Sequence, residues 1–216
     1  MTAREADAIT IAIEGSTPVS GLLQAPPDAR ACYVFAHGAG AGMTHLFMVA
    51  VADQLAQRGV ATLRFQFPYR ERGSKRPDPP RIAQAAVRAA VTEASRLLPA
   101  LPLIAGGKSF GGRMSSQAQA ASPLPGIRGL AFLSFPLHPA GKPSDERAEH
   151  LLELQVLPML FVQGSRDALA NLTLLQGVVE KLGERATLHL LPGAGHSFPV
   201  REEMMDVLER WIESVI

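Results

Sequence analysis

Ser109, Asp167 and His196 stand in that chain order, each a few residues past an apolar run and near glycine or another turn-forming residue. A hydroxyl, a carboxylate and an imidazole are the groups that nucleophilic acyl transfer needs. A serine hydroxyl is a poor nucleophile at neutral pH. A base must take its proton, and a third group must orient that base. Ser109 has the most informative setting. The run Leu103-Ile104-Ala105-Gly106-Gly107-Lys108-Ser109-Phe110-Gly111-Gly112 reads as an apolar strand, a tight glycine turn and a helix start. Gly107, Ser109 and Gly111 fill the three named places of G-x-S-x-G, a strand-to-helix turn that lifts a serine clear of a sheet. So sharp a turn holds its apex residue in a strained conformation, and the flanking positions must be small.

The other two groups follow successive apolar runs. Asp167 comes after 158–163 through Gly164-Ser165-Arg166, and His196 comes after 187–191 through Gly193-Ala194-Gly195. The order Ser, Asp, His is the one expected of this strand–turn–helix topology. Asp167 alone also suits a helix cap, and His196 alone an ordinary loop histidine. Their order and their places past separate strands join them to Ser109. Asp145 and Glu146 are reserve acids on the preceding loop. A fourth element, His37-Gly38-Ala39-Gly40-Ala41-Gly42, follows the run 32–36. Glycines there let backbone N–H groups approach a reacting carbonyl. The N–H of Ala39, or of Gly40, would then pair with that of Phe110 to hold an oxyanion.

Two nucleotide-binding patterns compete for the same residues. Gly107-Lys108-Ser109 matches the end of G-x-x-x-x-G-K-[ST], but the first glycine of that pattern falls on Pro102. Gly38 and Gly40 begin G-x-G-x-x-G, but the sixth place is Met43. The next strand ends in Phe65-Gln66-Phe67, with no acid for a ribose. Neither pattern is complete.

To bring these groups together, the chain must supply strands whose ends lie side by side. Segments 8–13 and 19–24, separated by Gly15-Ser16-Thr17-Pro18, read as an antiparallel hairpin. Apolar strands follow at 32–36, 61–65, 103–105, 129–134, 158–163 and 187–191. Helical patterns lie between them at 46–58, 81–98, 112–121, 144–154 and 172–182. A last helix, 202–215, places Met204, Leu208, Trp211, Ile212 and Val215 on one face. Alternating short apolar strands and helices predict an α/β fold, a mostly parallel twisted sheet with helices on both faces. Right-handed crossovers gather the functional loops at the strands' C-terminal ends.

The chain has 216 residues, 47% of them hydrophobic and 19% charged, with a formal net charge of +1. That length predicts a single domain over 1–216 with its own core. Near-neutral charge offers no general attraction to nucleic acid or to an acidic membrane surface. One cysteine, Cys32, forms no internal disulfide framework and fits a reducing compartment. Its apolar strand suggests a small buried residue. The first residues carry no apolar signal region, and no run approaches the ~18 apolar residues of a membrane span, so a cytoplasmic protein is expected.

These residues resemble the α/β-hydrolase superfamily over essentially the whole chain. Four stretches resemble, more narrowly, the KANL/Tex-type hydrolase-like family: His37-Gly38-Ala39-Gly40-Ala41-Gly42-Met43, Phe67-Pro68-Tyr69, Arg76-Pro77-Asp78-Pro79-Pro80 and Gly106-Gly107-Lys108-Ser109-Phe110-Gly111-Gly112-Arg113. The superfamily implies a Ser–His–acid mechanism, here on Ser109, His196 and Asp167, without a cofactor. The narrower family implies less, since some eukaryotic relatives serve in chromatin complexes rather than as known enzymes. The expected activity is therefore serine-hydrolase cleavage of a carboxylic ester or thioester in a small acyl substrate. The alternatives are a binding or scaffold protein that kept the fold, or a peptidase or cofactor-free perhydrolase.

On the substrate side, the stretch 64–81 holds six basic residues, Arg64, Arg70, Arg72, Lys75, Arg76 and Arg81, against Glu71 and Asp78. Tyr69 and Arg70 lie nearest its strand and are the candidates to meet a substrate, as is His45. A solvated, proline-stiffened loop accounts for most of the rest. The histidines show no metal-ligand spacing. His138, in a proline-bounded loop, reads as structural. The short segment after Phe135 leaves no room for a large lid domain, which predicts an open site.

Overall fold

A computed structural model describes residues 5–154 and 156–216. Eight strands form one sheet: β1 (Asp7–Ile11), β2 (Val19–Gln24), β3 (Ala31–Ala36), β4 (Val60–Phe65), β5 (Leu103–Lys108), β6 (Ile127–Leu133), β7 (Met159–Gly164) and β8 (Ala186–Leu191). Their spatial order is β1-β2-β4-β3-β5-β6-β7-β8. The first two strands pair antiparallel with each other, β2 pairs antiparallel with β4, and every pairing from β4 to β8 is parallel. Parallel strands need crossovers, and five long helices supply them or close the fold: α1 (Leu46–Gln57), α3 (Pro80–Leu97), α4 (Phe110–Ala121), α6 (Leu172–Leu182) and α7 (Glu202–Val215). Two one-turn helices, α2 (Pro68–Glu71) and α5 (Glu149–Leu152), punctuate the loops after β4 and β6.

The central strands are buried on both faces, so they read as continuous apolar runs. Alternate residues of each strand feed two separate cores. Cys32, Val34 and Ala36 of β3 join Met159 and Phe161 of β7 on one side, beneath α3, α4 and α6. Tyr33 and Phe35, with Leu160 and Val162, face the opposite side, beneath α1 and α7. Helix α3 buries Ala83, Ala86, Val87, Ala90, Val91 and Ala94, a helical stripe mostly of alanine that lets it lie close to the sheet and to α4. Helix α7 buries Met204, Met205, Leu208, Trp211 and Ile212. Cys32 is buried in β3, and burial pushes its thiol up to about 12, which leaves it inert.

One expectation changes, and one element is new. The helix predicted over 144–154 is a 3-10 turn, Glu146–Ala148, running into the single turn of α5. Asp145 opens that turn and accepts from Lys181 Nζ at 3.3 Å, outside the site. The α2 turn was not legible because three prolines and several charged residues around it mask any apolar period. Among the described residues, no helix is long and apolar enough to cross a membrane.

Candidate active site

The turn between β5 and α4 has the sharpness that its glycines predict. Ser109 sits at φ 49°, ψ −115°, one of two non-glycine residues at positive φ among the described residues. Such a conformation costs about 1–3 kcal/mol and persists only where its surroundings enforce it. They do so here by contact. A Cβ on Gly107, whose φ is 153°, would stand 2.2 Å from the carbonyl oxygen of Ala36, and one on Gly111 would stand 2.3 Å from the same atom. The elbow is pressed against the end of β3, and side chains at these places would push it off.

Three loops then bring the predicted groups into line. His196 Nε2 lies 2.8 Å from Ser109 Oγ, and His196 Nδ1 lies 2.8 Å from Asp167 Oδ2. The Asp167 side chain is wholly buried, whereas that of His196 keeps 23% of its surface. Gln163 Nε2 also donates to Asp167 Oδ2, and the Leu169 N–H donates to Oδ1 at 2.7 Å. With His196 Nδ1–H as the third donor, every partner gives a hydrogen, as an ionised carboxylate requires. That tautomer leaves Nε2 free to accept from the serine hydroxyl. The acid and histidine loops also hold each other through their backbones. The Arg166 N–H donates to Ala194 O at 2.8 Å, and the Gly193 N–H donates to Ser165 Oγ at 2.8 Å.

Phe110 is the first residue of α4, so its N–H has no acceptor within the helix. The loop after β3 turns tightly, with the Ala41 N–H donating to Gly38 O at 3.2 Å. Ala39 and Gly40 line a cavity of about 360 Å³ together with Ser109 and His196. His45 lines it as well, as the cap of α1 whose Nδ1 accepts from the Phe47 N–H. Phe47, Met48 and Phe198 form its apolar wall.

Tyr69 and Arg70 are not on that wall. Tyr69 is fully buried beneath the loop, beside the rings of His37, Phe67 and Phe110. Burial raises its hydroxyl above the ordinary tyrosine value, with the Gly40 backbone pulling weakly the other way. Two of the six basic residues in the stretch are also committed to structure. Arg64 lies buried in β4 and donates to Met43 O and Gln24 Oε1, while Arg72 pairs with Asp78.

Three further histidines are held in place by their ring nitrogens. His37 Nε2 accepts from the Phe67 N–H at 3.2 Å, and Nδ1 faces Gly38 O at 2.8 Å. One ring nitrogen must accept and the other must donate, which is the neutral imidazole. Burial pushes this group down to about 4. His138 repeats the pattern, with Nε2 accepting from the Asn171 N–H at 2.7 Å and Nδ1 against Pro139 O. It staples the loop after β6 to the start of α6. His150 Nε2 lies 2.8 Å from Ser116 Oγ, but that hydroxyl is buried and gives its hydrogen to Arg113 O. This serine is spent on the backbone and is no second nucleophile.

Lys108, Ser134, Phe47 and Phe198 border the site without having been singled out as site residues by sequence. Lys108 is an unassigned place of the elbow motif, and only the fold brings the other three beside it. Among the described residues, no group of three or more His, Cys, Asp or Glu side chains is placed to hold a metal ion.

Comparison with known proteins agrees with this architecture. A dienelactone hydrolase from Anabaena variabilis superposes with a TM-score of 0.78 at 20% identity, covering 99% of this chain and 97% of its own. Est1E from Butyrivibrio proteoclasticus gives 0.76 at 18% identity, covering 96% and 98%. A serine hydrolase without a lid from Xanthomonas campestris gives 0.71 at 21% identity, covering 97% and 93%. At these identities the likeness is one of fold. The sequence itself matches the model of the alpha/beta hydrolase domain over residues 29–216, which takes in β3 to β8 and every loop of the site, and this chain therefore belongs to the α/β hydrolase family.

Proposed function

We propose that this protein is a serine hydrolase that cleaves a carboxylic ester or thioester of a small acyl substrate through an acyl-enzyme. The observation that carries the reading is the unbroken line Ser109 Oγ, His196 Nε2, His196 Nδ1, Asp167 Oδ2, with both hydrogen bonds at 2.8 Å. Ser109 Oγ attacks the acyl carbon while its proton passes to His196 Nε2. The imidazolium so formed is held by the Asp167 carboxylate. The N–H groups of Phe110 and of Ala39 or Gly40 receive the developing oxyanion, each donor being worth about 10²–10³ in rate. As the tetrahedral species collapses, the C–O or C–S bond breaks, and His196 returns the proton to the leaving group. Water, deprotonated by the same imidazole, then releases the acid and restores the Ser109 hydroxyl. The apolar wall of Phe47, Met48 and Phe198 suits a short acyl or alkyl group. The four sequence stretches around 37–43, 67–69, 76–80 and 106–113 support placing the chain in the KANL/Tex-type branch.

Turnover of p-nitrophenyl acetate and butyrate, with fluorophosphonate labelling, tests the reading. Ser109→Ala should abolish labelling and lower kcat by roughly 10⁴–10⁶-fold. Well-folded wild-type protein that neither labels nor turns over activated esters and acyl-CoA thioesters would overturn it in favour of a binding role.

A further inference from the structure

Lys108, the residue before Ser109, sends its side chain across the mouth of the site. Its Nζ donates to Ser134 Oγ at 2.7 Å and to the carbonyl oxygen of His196 at 2.8 Å. Ser134 Oγ donates to the same carbonyl at 2.9 Å, closing a triangle. Each corner belongs to a different element: the last residue of β5, the residue just past β6 and the β8–α7 loop. Ser134 is the second non-glycine residue at positive φ, 60°, and its N–H bonds to Val162 O, so its hydroxyl is held rigidly at that corner. The rest of the ammonium is boxed by rings, 4.1 Å from the Phe198 centroid and 5.1 Å from that of Phe47.

The loops of Asp167 and His196 are pinned to each other by the backbone bonds described above. Ser109 lies on neither of them. Among the described residues, the hydrogen bonds joining the His196 loop to the ends of β5 and β6 are the Ser109–His196 bond itself and those of Lys108 and Ser134 to His196 O. Beyond the strand pairing that sets the ends of β5 to β8 side by side, this triangle is the direct tie between the His196 loop and the strand end that carries the nucleophile.

We propose that Lys108 is a positioning residue that sets the reach of His196 to Ser109 by tying the His196 backbone to the strand end bearing the nucleophile. It touches no reacting atom in this role. The inference rests on the serine-hydrolase reading for its effect on rate, but the tie itself exists whatever the activity.

The tie depends on charge. Bonds from an ionised donor are roughly twice as strong as neutral ones, and the ring contacts need a cation. Burial pushes Lys108 down to about 8, with the Asp167 carboxylate opposing. The titratable groups around it are Asp167 on the β7–α6 loop, His196 on the β8–α7 loop, and His45 at the start of α1, which lines the same cavity. Deprotonation of Lys108 as pH rises through about 8 should loosen the loop and slow acylation. Stability should move the opposite way. An unfolded chain holds this proton up to about 10.5, so between about 8 and 10.5 a rise in pH relieves the cost of burying the charge.

The test compares wild type, Lys108→Met and Ser134→Ala. Methionine keeps the length and suits the aromatic box. Lys108→Met should lower kcat for p-nitrophenyl acetate by about 10- to 100-fold with KM within about twofold, because a small misplacement of a catalytic group has that cost. It should slow fluorophosphonate labelling by the same factor and remove the alkaline limb expected of wild type near pH 8. Its Tm should equal or exceed that of wild type. Ser134→Ala should lower kcat by about 3- to 10-fold and keep the limb. In both variants, hydrogen exchange at the amides of 195–197 should quicken.

Unchanged kcat and unchanged exchange in Lys108→Met would overturn the proposal. So would a rise in KM alone, which would make Lys108 a substrate contact. If Lys108→Met does not fold, the wild-type pH profile and Ser134→Ala decide by the same criteria. If wild type itself lacks hydrolase activity, the exchange measurement still judges the tie, and the hydrolase reading is what fails.

Discussion

Asp167 illustrates how much work one carboxylate does through its surroundings. It is buried, it accepts from three donors, and its only link to Ser109 is the imidazole of His196. Replacing one oxygen by an amide nitrogen in Asp167→Asn keeps the shape but allows the new group to donate where it should accept. The favoured response is the opposite imidazole tautomer, with Nε2–H pointing at Ser109 and no base left. Asp167→Asn should therefore fold normally and lose about 10⁴-fold in kcat, with KM little changed. Steady-state kinetics on p-nitrophenyl butyrate check this; a loss under tenfold would mean that Asp167 does not orient the histidine.

At the scale of elements, the site depends on how closely β5 and α4 approach β3. Gly107 and Gly111 both face the Ala36 carbonyl oxygen at distances where no Cβ fits. Gly107→Ala would force the turn outward or the β3–β5 pairing apart, on top of its unfavourable φ. A cost of at least about 3 kcal/mol is expected, measured as a lower urea midpoint. Residual native protein should also label slowly with fluorophosphonate, because the Ser109 hydroxyl moves with the turn. A stability loss below about 1 kcal/mol would show that the strand ends are softer than their contacts imply. The short α5 turn teaches a related lesson. Its sequence has helical composition, but the structure forms only a 3-10 turn and one turn of α-helix there.

Across the whole molecule, buried His37 and half-buried His150 couple the fold to pH. His37 and His150 are both pushed down from 6.5 to about 4, chiefly by burial. In the unfolded chain each takes up a proton near pH 6.5, whereas in the fold each resists until about 4. The unfolded state thus binds more protons in that window, so stability is fully present above pH 6.5 and is lost as pH falls toward 4. For His37, which is fully buried, the loss is about 3 kcal/mol by pH 4. Urea midpoints measured from pH 7 down to 4.5 should fall, and His37→Gln should flatten part of that fall. A wild-type profile flat over this range would contradict the neutral imidazole inferred from the hydrogen bonds of His37. His37 packs against Phe67 and Tyr69 under the loop after β3, and His150 bonds to Ser116 of α4.

The sequence by itself determined the order of the strands and long helices, the antiparallel entry to a parallel sheet and the candidacy of Ser109, Asp167 and His196. Apolar runs buried on both faces, glycines at a turn too tight for side chains, and the order of the three groups are all local patterns, so they can be read along the chain. The tertiary structure alone decided which neighbours share a space. It seated Tyr69 under the loop rather than in the cavity, spent Arg64 and Arg72 on internal partners, and brought Lys108, Ser134 and the carbonyl of His196 together. Those contacts join residues 26 to 88 positions apart. No periodicity carries such information, because it arises only when parallel strands lay their C-terminal ends side by side.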